Sequence, residues 1–155
     1  MFRQMRSTTI LPGLLVLSVS STMLPHTATA VEILQMVFVE RASSDAVTDT
    51  GSKGDSAGDI LTFNNEIYDA ANINKVGSNN GWCMRTMVGK AWECFWTLTL
   101  SDGQITVEGP FLDGKDSVLA ITGGTGKYSG AKGEMGLHAR NEKGTEYDFK
   151  YSIVK

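Results

Sequence analysis

From Ile105 the chain reads Ile-Thr-Val-Glu-Gly-Pro-Phe-Leu. From Asp116 it continues Asp-Ser-Val-Leu-Ala-Ile-Thr-Gly-Gly-Thr-Gly-Lys-Tyr-Ser-Gly-Ala-Lys-Gly. Glycines at 123, 124, 126, 130 and 133 are too dense for a helix, because each adds backbone entropy that a helix must remove. They suit a sheet that turns sharply at a corner, and a sheet that keeps turning closes on itself. A closed sheet of this size can enclose a slot for a small molecule.

The flanking sequence supports strands. Leu61, Phe63, Asn65 and Ile67 alternate with Thr62, Asn64 and Glu66. Trp92, Cys94, Trp96, Leu98 and Leu100 alternate with Glu93, Phe95, Thr97 and Thr99, and Tyr147, Phe149, Tyr151 and Ile153 with Asp148, Lys150 and Ser152. Period two over this many residues is the mark of a strand with one buried face. Val31 to Glu40 is an apolar run interrupted by Gln35, so its faces stay unassigned. Ser43 to Gly58 and Asp69 to Asn80 are rich in Asn, Asp, Ser and Gly and read as loops, the first long and mobile. Ser101-Asp102-Gly103, Asp113-Gly114 and Lys143-Gly144 read as turns. The expectation is an all-β chain of about eight antiparallel strands, in a small barrel or a sandwich.

The front of the chain reads differently. Arg3 and Arg6 precede a short apolar run from Ile10 to Ser20, and Ala28-Thr29-Ala30 supplies small residues at a cleavage site. Residues 1–30 are expected to be a secretory signal peptide, which leaves a domain over 31–155 that is periplasmic or extracellular. An uncleaved anchor is the rival, but Pro12 and Gly13 break a run already too short to span a bilayer. Loss of Arg3 and Arg6 takes 14 basic residues to 12 against 17 acidic ones, a net charge of −5 with no basic stripe. Nucleic acid and membrane insertion after cleavage are therefore not expected.

Only two cysteines are present. If Thr86 pairs with Ala91 across the Met87-Val88-Gly89-Lys90 loop, Cys83 falls opposite Cys94, where a disulfide can form; a one-residue slip would leave free thiols. On the same face as Cys83, Arg85 needs a carboxylate from the protein or from an acidic ligand, unless it reaches water at the strand end. Asn65, amid apolar neighbours, needs partners from protein, water or ligand. Tyr147 and Tyr151 can present phenol groups to the interior, as donors or proton carriers, or serve as core aromatics. His138 falls on the outer face. The alternation assigns no Asp or Glu to the interior. No His, Cys or carboxylate cluster has metal spacing, and Gly123-Gly124-Thr125-Gly126 leads into no helix that would hold a phosphate, so neither metal nor cofactor is expected. Trp82, Met84 and Phe95 face outward and suit a subunit contact.

Gly58-Asp-Ile-Leu-Thr-Phe-Asn-Asn65, Gly81-Trp-Cys83, Ile105 to Leu112, Leu119-Ala-Ile-Thr-Gly-Gly-Thr-Gly126 and Gly130-Ala-Lys-Gly133 together resemble the allene oxide cyclases and, more distantly, dirigent proteins. The resemblance implies a closed eight-stranded antiparallel barrel with an apolar pocket, often a homotrimer. It places Leu61, Phe63, Asn65, Cys83 and Trp92 at pocket-lining positions, with Asn65 matching an asparagine that helps hold a water. The family's reactive tyrosine matches Phe111. Aligning Glu40-Arg41 with the family's Glu-Arg puts Val37 where its reactive glutamate would stand. The expected ligand set is therefore Leu61, Phe63, Asn65, Cys83, Arg85, Trp92, Phe111, Tyr147 and Tyr151 around a small hydrophobic ligand. Three functions stay open: an isomerase or cyclase acting by confinement, a non-catalytic dirigent-like protein or carrier, and a tautomerising enzyme on a planar aromatic metabolite such as a phenazine.

Overall fold

The computed structural model describes residues 31–154. The signal-peptide expectation lies outside them. Nine strands follow in chain order: β1 (Ile33–Arg41), β2 (Ala46–Thr48), β3 (Ile60–Asp69), β4 (Lys75–Met87), β5 (Ala91–Leu100), β6 (Gly103–Leu112), β7 (Ser117–Gly126), β8 (Lys132–Ala139) and β9 (Glu146–Val154). They lie in the order β1-β9-β8-β7-β6-β5-β4-β3-β2, all antiparallel, and β1 also pairs with β3. That last pairing closes an eight-stranded barrel, and β2 remains outside the ring. No helix occurs among the described residues.

Closure explains β2. The free edge of β3 is shared: β1 pairs with Glu66–Asp69 and β2 with Ile60–Thr62. Between them the chain bends at residues 42–45, and the backbone N–H groups of Ser43 and Ser44 both donate to Asn65 Oδ1, at 3.0 Å each. The Asn65 side chain thus takes the place of a missing ladder rung. The 43–58 segment is therefore a tied strap with a short strand in it, in contrast to the mobile loop expected. Asp59 anchors it further by accepting from Thr50 N, Ser56 N and Ser56 Oγ. The second expected loop is also shorter, because β4 begins at Lys75 and runs for 13 residues. The Asn-rich run stays in the sheet, with Asn79 opposite Asn65 and Asn80 opposite Asn64.

The register of β4 and β5 brings Cys83 opposite Cys94, and the two form a disulfide. Here Met87, and not Thr86, faces Ala91. A bulge between Arg85 and Met87 absorbs the extra residue before the pairing reaches the cysteines. A second bulge, where Thr106 pairs with Gly123 and Val107 with Ile121, bends β6 and β7 next to the glycine corner. The corner itself turns at Gly126 and Gly130, both in the left-handed region with φ of 60° and 76°.

The barrel interior holds one hydrophobic cluster, which includes Ile67, Trp96, Leu98, Ile105, Leu119, Met135, Phe149, Tyr151 and Ile153. Trp96 stacks on Phe149 with ring centres 5.7 Å apart and meets Phe63 edge-on at 5.9 Å. Gly81 makes this arrangement feasible. It lies opposite Trp96, and a Cβ there would stand 2.4 Å from Trp96 Cβ. Trp82, Met84 and Phe95 are exposed on the outside, as the alternation predicts.

Candidate functional site

One end of the barrel is formed by the 42–45 bend and the turns β4–β5, β6–β7 and β8–β9. Below it lies a slot with a cavity volume of about 40 Å³, lined by Glu40, Asp45, Leu61, Phe63, Asn79, Cys83, Cys94, Trp96, Phe111, Leu137, Tyr147 and Phe149. Five of these twelve residues are aromatic, and the disulfide forms part of the rest. The volume is room for one or two waters or a small polar group.

The functional residue that sequence reasoning missed is Glu40. Leu34, Met36 and Phe38 pack against the core from β1, and Glu40 continues their parity to the inside, where it is only 5 % exposed. It stands beside Tyr147 in the β1–β9 register. Two amides hold it: Asn79 Nδ2 donates to Oε2 at 2.6 Å and Asn65 Nδ2 to Oε1 at 3.2 Å. No cation pairs with it in the slot. Burial disfavours its charged form and pushes its pKa from 4.5 up to about 7, although the two amide hydrogen bonds pull the other way. The Asp45 carboxylate adds to the rise. A carboxyl in this state changes charge near neutral pH, which suits it to move protons.

Val37, the position that the family's Glu-Arg match assigns to a reactive glutamate, is exposed on the outer face of β1. The inward carboxylate therefore comes from a different residue of the same strand.

The other expected residues separate into groups. Leu61, Phe63, Cys83, Phe111 and Tyr147 line the slot. Phe111 and Tyr147 meet edge-on at 6.0 Å, and burial, then the Asp45, Glu40 and Asp113 carboxylates, raise the Tyr147 pKa. Asn65 stands behind the slot with its polar atoms engaged: Oδ1 accepts from Ser43, Ser44 N and Ser44 Oγ, and Nδ2 donates to Glu40 and Asp45. Tyr151 is fully buried, with its hydroxyl beside Trp96 Nε1 but neither atom in hydrogen-bond geometry with any partner; burial raises its pKa strongly. Arg85 and Trp92 lie to one side. The Arg85 guanidinium sits 4.0 Å over the Trp92 ring, donates to Asp55 at 2.6 Å and Asp113 at 2.7 Å, and so finds its carboxylates within the protein. His138 is exposed on the outside and contacts Asp116 at 2.7 Å. No group of three or more His, Cys, Asp or Glu among the described residues has metal-ligand geometry.

Phe111 and Tyr147 also form the inner wall of a wider groove of about 540 Å³ between the β6–β7 and β8–β9 turns. These two rings separate slot from groove. They are the partition that a ligand coming from solvent on that side would pass.

A sequence profile described as allene oxide cyclase matches residues 25–151. The chain belongs to the allene oxide cyclase family. Solved structures similar to it include a pyocyanin demethylase, 26% identical, covering 77% of this chain and 99% of that one with a TM-score of 0.66. An exo-specific intermolecular Diels–Alderase is 17% identical over 80% of this chain and 99% of its own, at a TM-score of 0.65. A pterocarpan synthase dirigent protein is 12% identical over 83% of this chain and 87% of its own, also at 0.65. The last two likenesses concern the fold. Within this family, the barrel, its disulfide and the Glu40 slot are what this chain brings to a functional reading.

Proposed function

We propose that this chain is a small-molecule isomerase in which the barrel confines a compact, largely apolar substrate and Glu40 moves a proton between two of its positions. The observation that carries the reading is the Glu40 carboxyl buried in an aromatic slot without a neighbouring cation, a setting that pushes its pKa up to about 7. Ionised Glu40 takes a proton from one substrate atom, the substrate's double bonds shift, and the neutral acid returns the proton elsewhere. Atoms and electrons balance without an oxidant or reductant. Asn65 and Asn79 are positioning residues that fix the carboxylate plane. Confinement adds to the rate by holding the substrate near its reactive shape.

The kinds of activity in the names of the similar barrels, a demethylase and a Diels–Alderase, support a small-molecule substrate. A planar ring system agrees best with the flat walls offered by Trp96, Phe149 and Phe63. The slot offers about 40 Å³, below what a ring needs, so binding requires its wall to widen, and Phe111 and Tyr147, which also face the outer groove, are the rings placed to swing apart.

The test is proton exchange. A panel of enolisable ketones and hydroxylated or aminated heteroaromatics is incubated in D₂O with the purified chain, and deuterium uptake is followed by mass spectrometry. At least one compound should exchange about 100-fold faster with the native chain than with Glu40→Gln, the lower end of what general acid–base catalysis supplies. A compound that binds and returns unlabelled would make the protein a carrier.

A further inference from the structure

The polar atoms around the slot have a common character. Two of its lining residues bear carboxyl groups, Glu40 and Asp45, and no Lys, Arg or His lines it. Asn79 spends its Nδ2 on Glu40, which leaves its Oδ1 as an acceptor, fully buried and without a partner. Asn65 likewise turns both Nδ2 hydrogens to the acids, toward Glu40 at 3.2 Å and Asp45 at 2.8 Å. The amide donors nearby are therefore consumed. The slot is left with carboxylate oxygens, one orphan amide oxygen and the Tyr147 hydroxyl. One buried donor, Trp96 Nε1, lies beside Tyr151 Oη and is also without a partner in hydrogen-bond geometry.

Phe63, Trp96, Phe111, Tyr147 and Phe149 surround these acceptors. Aromatic faces attract cations through their ring quadrupoles, and the attraction grows when water is excluded. Two features thus point the same way: a buried acceptor with nothing to accept, and an aromatic-walled cavity lined by two acids and no basic side chain. An anionic ligand would meet the Asp45 and Glu40 carboxyls directly, with only the Trp96 indole N–H and the Tyr147 hydroxyl of the lining able to donate to it.

We propose that the slot takes a small planar organic cation carrying at least one N–H, such as a protonated amino-heteroaromatic. Its charge lies between the rings and the Asp45 carboxylate, and its N–H donates to Asn79 Oδ1. This rests on the isomerase reading for the location of the site, and it adds the substrate class.

Three bicyclic probes of nearly equal size separate the alternatives: 4-aminoquinoline, a cation at pH 7; 1-naphthylamine, neutral; and 1-naphthoate, an anion. Calorimetric titration of the full chain at low salt should show the cation binding about tenfold or more tighter than the neutral probe, with the anion weakest. Asp45→Asn should weaken the cation several-fold and leave naphthylamine unchanged. It lies at the exposed rim, and circular dichroism checks that the variant is folded. Equal affinities, or a preference for the neutral or anionic probe, overturn the cation proposal and leave proton transfer by Glu40 standing. Failure of all three to bind the folded chain overturns both.

Discussion

At the scale of single residues, the site turns on one parity. Glu40 was legible in principle: Leu34, Met36, Phe38 and Glu40 share a face, but the opposite face carries Ile33, Val37 and Val39 beside Gln35, so both faces read as apolar. Its partners were harder to foresee, because Asn65 and Asn79 lie 25 and 39 residues away and reach it only through barrel closure. Arg85 shows the same division. Its need for a carboxylate follows from its face, but Asp55 and Asp113 are 30 and 28 residues distant along the chain. The buried acid has a stability cost with a definite sign. Its pKa is raised from 4.5 to about 7 in the folded chain, so the native state holds the extra proton between these values. Stability from this group is complete below pH 4.5 and is lost as pH rises through 7, by about 3 kcal/mol in all. Glu40→Gln should therefore match the native chain near pH 4.5 and exceed it by up to about that amount at pH 8, in urea unfolding. Asn79 Oδ1, free of partners, can accept from the new amide. A constant difference across pH would contradict the assignment.

At the scale of elements, alternation found the faces of β3, β5 and β9 because each buries one side against the same core. It misjudged segments where polar residues stay inside the sheet. The Asn-rich start of β4 looks like a loop, yet its backbone is paired with both β3 and β5. Composition cannot reveal that a side chain substitutes for a ladder bond, as Asn65 does at the β1–β2 bend. The strap that follows is held by charge-assisted bonds to Asp59, whose pKa is lowered by the backbone N–H groups of Thr50 and Ser56. A lowered carboxylate stabilises above its ordinary pKa of 3.8, and that contribution is lost as pH falls through the folded value. Asp59→Asn halves the acceptor capacity. At pH 8 trypsin should then cut after Lys53, within the strap, about tenfold faster than in the native chain. Equal cleavage rates would mean that the strap is held by other contacts.

At the scale of the whole molecule, closure is what converts an ordinary alternating sheet into a site. The same strand pattern serves a sandwich equally well, and periodicity alone did not choose between them. The ordered glycine blocks did, through their likeness to a barrel family. Closure brings β1 against β3 and β9 together, and so places Glu40 between Ile67 and Tyr147, inside a shell with no counter-charge. The central claim is that this shell keeps a carboxyl uncharged into the neutral range. Carbon-13 labelling of glutamate side chains, with Glu40→Gln to assign the resonance, reads that carboxyl directly by NMR across pH. A titration midpoint near 7 is expected for Glu40. A midpoint near 4.5, the value of a glutamate in water, would contradict the account.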